Sequence, residues 1–242
     1  MDDGILGYEE RFSGVLGSEY NLFAKSVPWH DEFQDVLKRT IREYCLGKSE
    51  AATFTALDAG CGTGITTIRI LDADERIRVV AVDNEEKTLD QAKEALRDKA
   101  DRVTFIQADL LPFLEGADDD SFDVFASAYV LHNLPCEYRN RVLKEIARVL
   151  KSGGLFVNAD KYAHDDEEQQ AKDLEEQIRD FDVFDKLGRQ DIREEWTKHY
   201  REDEKIRITE GEQVRILASL GFDDIRTVFR KRIEAVIRAV KV

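Results

Sequence analysis

The segment Asp58-Ala59-Gly60-Cys61-Gly62-Thr63-Gly64 follows an apolar run, Thr53-Phe54-Thr55-Ala56-Leu57, and precedes an amphipathic stretch. A strand that ends in an acid, turns through Gly-x-Gly-x-Gly and enters a helix cradles a nucleotide-like ligand. Its glycines permit positive φ and let the backbone come close to the ligand. The start of the helix points unpaired N–H groups at it. A dinucleotide loop, G-x-G-x-x-G, would need its third glycine where this chain has Ile65. Asp83 closes the next apolar run, Val79-Val80-Ala81-Val82, about 20 residues beyond the loop. A carboxylate there accepts both hydroxyls of a ribose. Nicotinamide-binding domains place an acid likewise, so the loop and Asp83 alone leave a dehydrogenase open.

The elements that must hold these residues alternate in type. Phe33, Val36, Leu37, Ile41 and Tyr44 recur at helical spacing and predict a helix over 31–46, with Asp31 as N-cap and Gly47 as its stop. Strands are expected through Leu57, over 79–83, over 103–106 ending near Asp109, over 122–127 and over 155–159. Helices are expected between them over 65–71, 87–99 and 136–150. This rhythm predicts an α/β chain with a parallel, doubly wound sheet. Such sheets bind ligands beyond the carboxyl ends of their strands.

The rhythm breaks after Asp160. Residues 163–201 are charged and helical in pattern, with Leu174, Ile178, Phe181, Phe184 and Leu187 on one stripe, a break at Gly188, and Ile192 and Trp196 beyond it. This reads as an insertion covering the substrate side. A helix over 209–220, capped by Gly221, then leads into strands over 222–230 and 233–240. The expected organisation is an entry segment and helix (1–50), a ligand-binding core (51–162), a helical cap (163–208) and a closing helix and hairpin (209–242).

The bulk composition excludes several classes. A net charge of −15 on 242 residues repels phosphate backbones and anionic lipids, which disfavours direct nucleic-acid binding. No apolar run reaches about 18 residues, so no membrane-spanning helix is expected. The start, Met1-Asp2-Asp3-Gly4, has no signal-peptide pattern. Cys45, Cys61 and Cys136 form no CxxC pair. A reduced, cytoplasmic setting is the expectation. The four histidines, His30, His132, His164 and His199, lack HxxxH spacing, and no metal is expected.

The acid followed by Gly60-Cys61-Gly62-Thr63-Gly64 resembles motif I of class I S-adenosylmethionine (SAM)-dependent methyltransferases. Phe105-Ile106-Gln107-Ala108-Asp109-Leu110 resembles the segment of that superfamily whose acid accepts from the adenine amino group. The resemblance covers nearly the whole chain. It implies a Rossmann-like sheet of seven strands in the order 3-2-1-4-5-7-6, with the last strand antiparallel. It also implies SAM as cofactor and S-adenosylhomocysteine as product. Gly60, Cys61 and Gly62 are then expected along the methionine end, with Asp58 near its ammonium group. Asp83 would hold the ribose, and Asp109 with Leu110 the adenine edge; Asn84 and Ala128 complete the expected set. Tyr129, His132 and Asn133 follow the fourth strand, where a substrate would lie. Tyr129, His132, Asp160 and His30 are the catalytic candidates, the alternative for Asp160 being an ion pair with Lys161. Methyl transfer from a sulfonium is an in-line displacement that neutralises positive charge, so alignment and exclusion of water matter most. A general base is needed only for an acceptor that is protonated at working pH.

Within the superfamily, Tyr8-Glu9-Glu10-Arg11-Phe12, Ser26-Val27-Pro28, Asp83-Asn84 and Asp160-Lys161-Tyr162 resemble the carboxy-SAM synthases of the tRNA wobble-uridine pathway. That branch uses prephenate and forms homodimers. The chain departs from it at Gly62, where the branch has Ser, at His30 in place of Tyr, near Ala128 in place of Asn, and at Lys198 in place of a carboxylate-clamping Arg, with Arg193 or Arg201 as possible substitutes. Lysine does not reproduce the bidentate fork of arginine. The expected function is therefore methyl transfer to a small-molecule acceptor. A carboxy-SAM synthase and a non-catalytic SAM-binding protein are the alternatives.

Overall fold

The computed structural model describes residues 20–242. Tyr8-Glu9-Glu10-Arg11-Phe12 therefore lies outside the described residues. A short helix α1 (Tyr20–Phe23) and a 3-10 turn lead into α2 (His30–Leu46). The strands and helices then run β1 (Phe54–Ala59), α3 (Ile65–Leu71), β2 (Ile77–Asp83), α4 (Glu86–Ala95), β3 (Val103–Gln107), α5 (Leu110–Gly116), β4 (Phe122–Ala128), α6 (Cys136–Val149) and β5 (Leu150–Lys161). Three helices follow, α7 (Glu167–Asp180), α8 (Asp182–Lys186) and α9 (Gln190–Asp203). The described chain closes with α10 (Glu210–Ser219), β6 (Phe222–Lys231) and β7 (Glu234–Lys241).

The strands form one sheet in the order β3-β2-β1-β4-β5-β7-β6. β1 to β5 pair in parallel, and β7 runs antiparallel between β5 and β6. This is the expected order. Alternation along each strand divides the core in two. Ala56, Val124, Ala126 and Val157 face the side covered by α2, α3 and α4. Leu57, Phe125 and Phe156 face the side covered by α5, α6 and α10. Order reverses between β1 and β4, whose carboxyl ends pair at Ala59 and Ser127. A crevice opens at such a reversal because the flanking connections leave in opposite directions.

Several local expectations are corrected. α2 begins at His30 with Trp29 in the capping position, and Asp31 sits in the first turn, where its charge complements the helix dipole without capping it. β5 already starts at Leu150, so the glycine pair at 153–154 lies within the strand. α5 was not expected after β3. Pro112 is the third helical residue, where no intrahelical N–H bond is lost. The Asp160–Lys161 ion pair does not form. Asp160 bonds to His132, and Lys161 reaches Asp203 on α9.

The helices after β5 do not stand apart from the core. Leu174, Ile178, Phe181, Phe184, Ile192, Trp196 and Tyr200 join the cluster that contains Phe23, Phe33 and Tyr129. Phe23 stacks on Trp196 with centroids 4.4 Å apart and meets the edge of Tyr129 at 5.3 Å. The segment before α2 and the insertion thus cover the β4 end together.

Candidate active site

The crevice between β1 and β4 is a cleft of about 1010 Å³, counting its open mouth. Its wall begins at the glycine loop. Gly60 N and Cys61 N donate to Val82 O at 2.8 and 3.0 Å, which ties the loop to β2. Gly60 has φ +68°, and a Cβ there would lie 2.3 Å from Cγ2 of Val130. Gly62 has φ +50° with open space where a Cβ would be, so its backbone faces the cleft unobstructed.

Asp83 ends β2 and locks onto that loop. Its Oδ2 accepts from Gly62 N at 2.8 Å, and its Oδ1 accepts from Glu85 N at 3.0 Å. Burial raises its pKa, and these backbone N–H groups counter the rise. Thr88 Oγ1 lies 3.2 Å from Oδ1, but it is nearer to Glu85 O at 2.9 Å. A hydroxyl carries one proton. If the shorter contact takes it, each Asp83 oxygen keeps one lone pair for a ligand.

Of the expected cofactor residues, Gly60, Cys61, Gly62, Asp83, Asn84, Leu110 and Ala128 line the cleft. Asp58 and Asp109 stand just behind this lining. Asp109 lies between Ala108 and Leu110, which do line it, and its Oδ1 accepts from Asn84 Nδ2 at 3.0 Å. Asp58 is wholly buried. Its Oδ2 accepts from Thr67 Oγ1 at 2.5 Å, and its Oδ1 has no hydrogen-bond partner. Burial pushes its pKa up to about 7, with nearby Asp83 adding to the rise. Burial also raises the Cys61 thiol well above its ordinary range, which keeps it protonated.

The catalytic candidates gather on the far side of the β4 end. Tyr129 lines the cleft and has φ +58°, a conformation that costs energy for a side chain of this size. Asn133 Nδ2 donates to Tyr129 O at 3.0 Å and braces the turn. The His30 ring lies parallel to that of Tyr129, 6.3 Å away. Burial lowers the His30 pKa and favours the neutral ring.

His132 does not line the cleft. It borders a second cavity of about 320 Å³, between the β4 loop, the end of β5 and the insertion. The His132 and Tyr129 rings are 6.4 Å apart, so Tyr129 on the cleft stands next to His132 on the second cavity. His132 Nδ1 and Asp160 Oδ1 are 2.5 Å apart, and His132 N donates to Asp160 Oδ2 at 3.1 Å. Burial lowers the His132 pKa, and the charge of Lys161 lowers it further. Burial alone would raise Asp160; His132, Asn158 and the Lys161 N–H outweigh it and hold Asp160 below its ordinary range. A neutral His132 with its proton on Nδ1, facing ionised Asp160, follows.

Lys161 and Asp203 also line this cavity, with His199 beside Asp203; sequence reasoning had given His199 and Asp203 no place in a site. Lys161 Nζ contacts Asp203 Oδ2 and lies 3.8 Å from the centroid of the Tyr200 ring. His199 Nε2 is 3.5 Å from Asp203 Oδ2. The local signal was His199-x-x-x-Asp203, a spacing that puts both side chains on one helix face. Lys198 is exposed. Arg193 pairs with Asp182 and Asp185, and Arg201 with Glu175. None of these three lines either cavity.

Residues 56–154 match the methyltransferase domain family. The chain is similar to the carboxy-S-adenosyl-L-methionine synthase of Campylobacter lari, 24% identical over 215 residues that cover 87% of this chain and 85% of that protein. It is similar to the demethylmenaquinone methyltransferase of Lactococcus lactis, 41% identical over 108 residues that cover 42% and 39%. Among solved structures, the CurJ carbon methyltransferase superposes with a TM-score of 0.70 at 17% identity, covering 94% of this chain and 60% of that one. The magnesium protoporphyrin IX methyltransferase of Synechocystis, solved with bound SAM, gives 0.61 at 14% identity, covering 97% and 95%.

Proposed function

We propose that this chain, which belongs to the class I SAM-dependent methyltransferases, moves the methyl group of SAM onto a small-molecule acceptor held under the helical insertion. One observation carries the reading: the glycine loop, Asp83, Asn84 and Leu110 line one cleft, and Tyr129 on its wall stands 6.4 Å from His132 on a second cavity. Gly60, Cys61 and Gly62 hold the methionine portion, with Asp58 behind them countering the ammonium group. Asp83 holds the ribose. Asn84, Asp109 and Leu110 border the adenine, and Ala128 forms the floor. The aromatic wall of Phe23, Tyr129 and Trp196 keeps water from the transfer. His30, Tyr129, His132 and Asp160 are the groups that meet the acceptor side.

The test is turnover. Purified protein incubated with SAM and a fractionated metabolite extract is expected to release S-adenosylhomocysteine above the background without extract. If SAM binds but no fraction raises that release, the binding-protein alternative replaces this reading. Binding of NAD in place of SAM would return it to the dehydrogenases.

The carboxy-SAM synthase reading has its own support, since similarity to those enzymes runs along most of both chains. Against it, exposed Lys198 stands where a carboxylate clamp is needed. Mass spectrometry of the ligand that copurifies separates the two, because carboxylation adds one carboxyl to the mass of SAM. We also read the protein as cytoplasmic. The homodimer implied by the same resemblance is tested by light scattering. The net charge of −15 argues against a nucleic-acid acceptor. Among the described residues, no helix is long and apolar enough to cross a membrane.

A further inference from the structure

We propose that His132, His199 and Asp203 bind a divalent transition-metal cation, of the zinc or iron(II) type, beside the second cavity, which His132 and Asp203 line. The three residues come from the β4 loop and from α9. All are buried, and their ligand atoms lie within 4.8 Å of one another. The Nε2 atoms of His132 and His199 are 3.7 and 3.5 Å from Asp203 Oδ2. Those separations are too long for hydrogen bonds. Two ligands that share a tetrahedral ion at about 2.0–2.1 Å sit roughly 3.3–3.4 Å apart, so small side-chain movements close the set.

A second observation points the same way. His132 Nε2 is buried with no hydrogen-bond partner, while Asp160 holds Nδ1 from behind. A carboxylate behind a histidine fixes the ring and aims the other nitrogen at a metal. Asp160 is itself held, with Oδ2 accepting from Asn158 Nδ2 at 3.1 Å. Two imidazoles and one carboxylate favour zinc, iron(II) or cobalt(II) over magnesium and calcium. Three protein ligands leave a tetrahedral ion one position for water or another small ligand.

Lys161 supplies the positive charge that Asp203 meets in this structure. A cation must displace that ammonium group. Glu234 is the register partner of Lys161 across β5 and β7, and burial raises its pKa to about 8, so it offers the released lysine a carboxyl that ionises as the ammonium approaches. The site is defined by geometry alone and stands whether or not the chain transfers a methyl group.

The experiment uses the full chain, stripped with a chelator and dialysed. It is titrated with Co²⁺, followed by visible absorption, and with Zn²⁺ by calorimetry. Uptake of one equivalent is expected, with the ligand-field bands of a low-coordinate site. His199→Ala and Asp203→Asn should each weaken binding at least about 100-fold, beyond the loss typical of outer-shell changes. Lys161→Met removes a competing charge and should tighten binding about tenfold. His164→Ala, which alters a separate pair with Asp173, should change nothing. Wild-type protein that shows no saturable cobalt spectrum overturns the proposal, even if the variants fail to fold. Equal affinity in wild type and His199→Ala also overturns it.

Discussion

Asp83→Ala offers the sharpest test of the cofactor assignment. An ionised carboxylate has about four acceptor positions. Gly62 N takes one on Oδ2, and Glu85 N takes one on Oδ1. With the Thr88 proton on Glu85 O, one position remains on each oxygen, matching the two hydroxyls of a ribose. Each hydrogen bond to a charged acceptor contributes about 1.5–3 kcal/mol. Removing both should weaken binding by about 3–6 kcal/mol, or roughly two to four orders of magnitude in Kd. The same substitution frees Gly62 N and Glu85 N, so the loop also loosens. Thermal denaturation without ligand measures that part, and titration calorimetry with S-adenosylhomocysteine measures the whole. Asp83→Asn, which keeps one carbonyl oxygen, should fall between. An affinity within threefold of wild type in Asp83→Ala would refute the ribose assignment, whatever happens to the melting temperature.

With Asp58 countering the cofactor's ammonium group, as proposed, cofactor binding should depend on pH. Its carboxyl, raised by burial to about 7, is protonated below that pH in the unliganded protein, and an ammonium group nearby favours the ionised form. Binding should therefore release a proton below pH 7. Affinity should fall as pH drops, by up to about tenfold per unit. Calorimetry in buffers of different ionisation enthalpy reads this directly, and Asp58→Asn should abolish the released proton. Gly60→Ala should cost about 1–3 kcal/mol of stability and most SAM affinity, because its Cβ meets Val130 at 2.3 Å. Urea unfolding and calorimetry check the two effects, and a fully stable, fully binding variant contradicts the close approach. Trp196→Ala should cost about 3–5 kcal/mol, since Trp196 is 2% exposed and stacks on Phe23. Stability unchanged in urea would mean that the insertion is not part of the core.

The sheet was readable because its rules are local. Val79-Val80-Ala81-Val82 reads as a doubly buried strand wherever it occurs, and an acid at its end must fall at the ligand edge. Asp83 and the glycine loop were legible for the same reason, since one strand and one turn place them. α5 was not, because a seven-residue helix is too short to show a clear helical period, and its Pro112 sits in the first turn, where proline is tolerated. The acceptor side was harder still. Asp160 finds its partner 28 residues back in the β4 loop, and Lys161 finds its own 42 residues ahead. Adjacent opposite charges suggested a pair. In a strand, however, successive side chains leave on opposite faces. His199 and Asp203 carried a helical spacing but gave no hint that His132 would lie opposite them.

Phe23 precedes the sheet and Trp196 follows five of its strands, yet the two rings stack and Phe23 meets the edge of Tyr129 on the cleft wall. On the proposed reading, what holds the donor is written in one continuous third of the chain, and what meets the acceptor in two pieces on either side of it. Acceptor preference can therefore drift in evolution, or be redesigned by grafting those flanks, without disturbing the donor's cradle. Tyr129 belongs to both halves, and it is the position where such a graft would have to be negotiated.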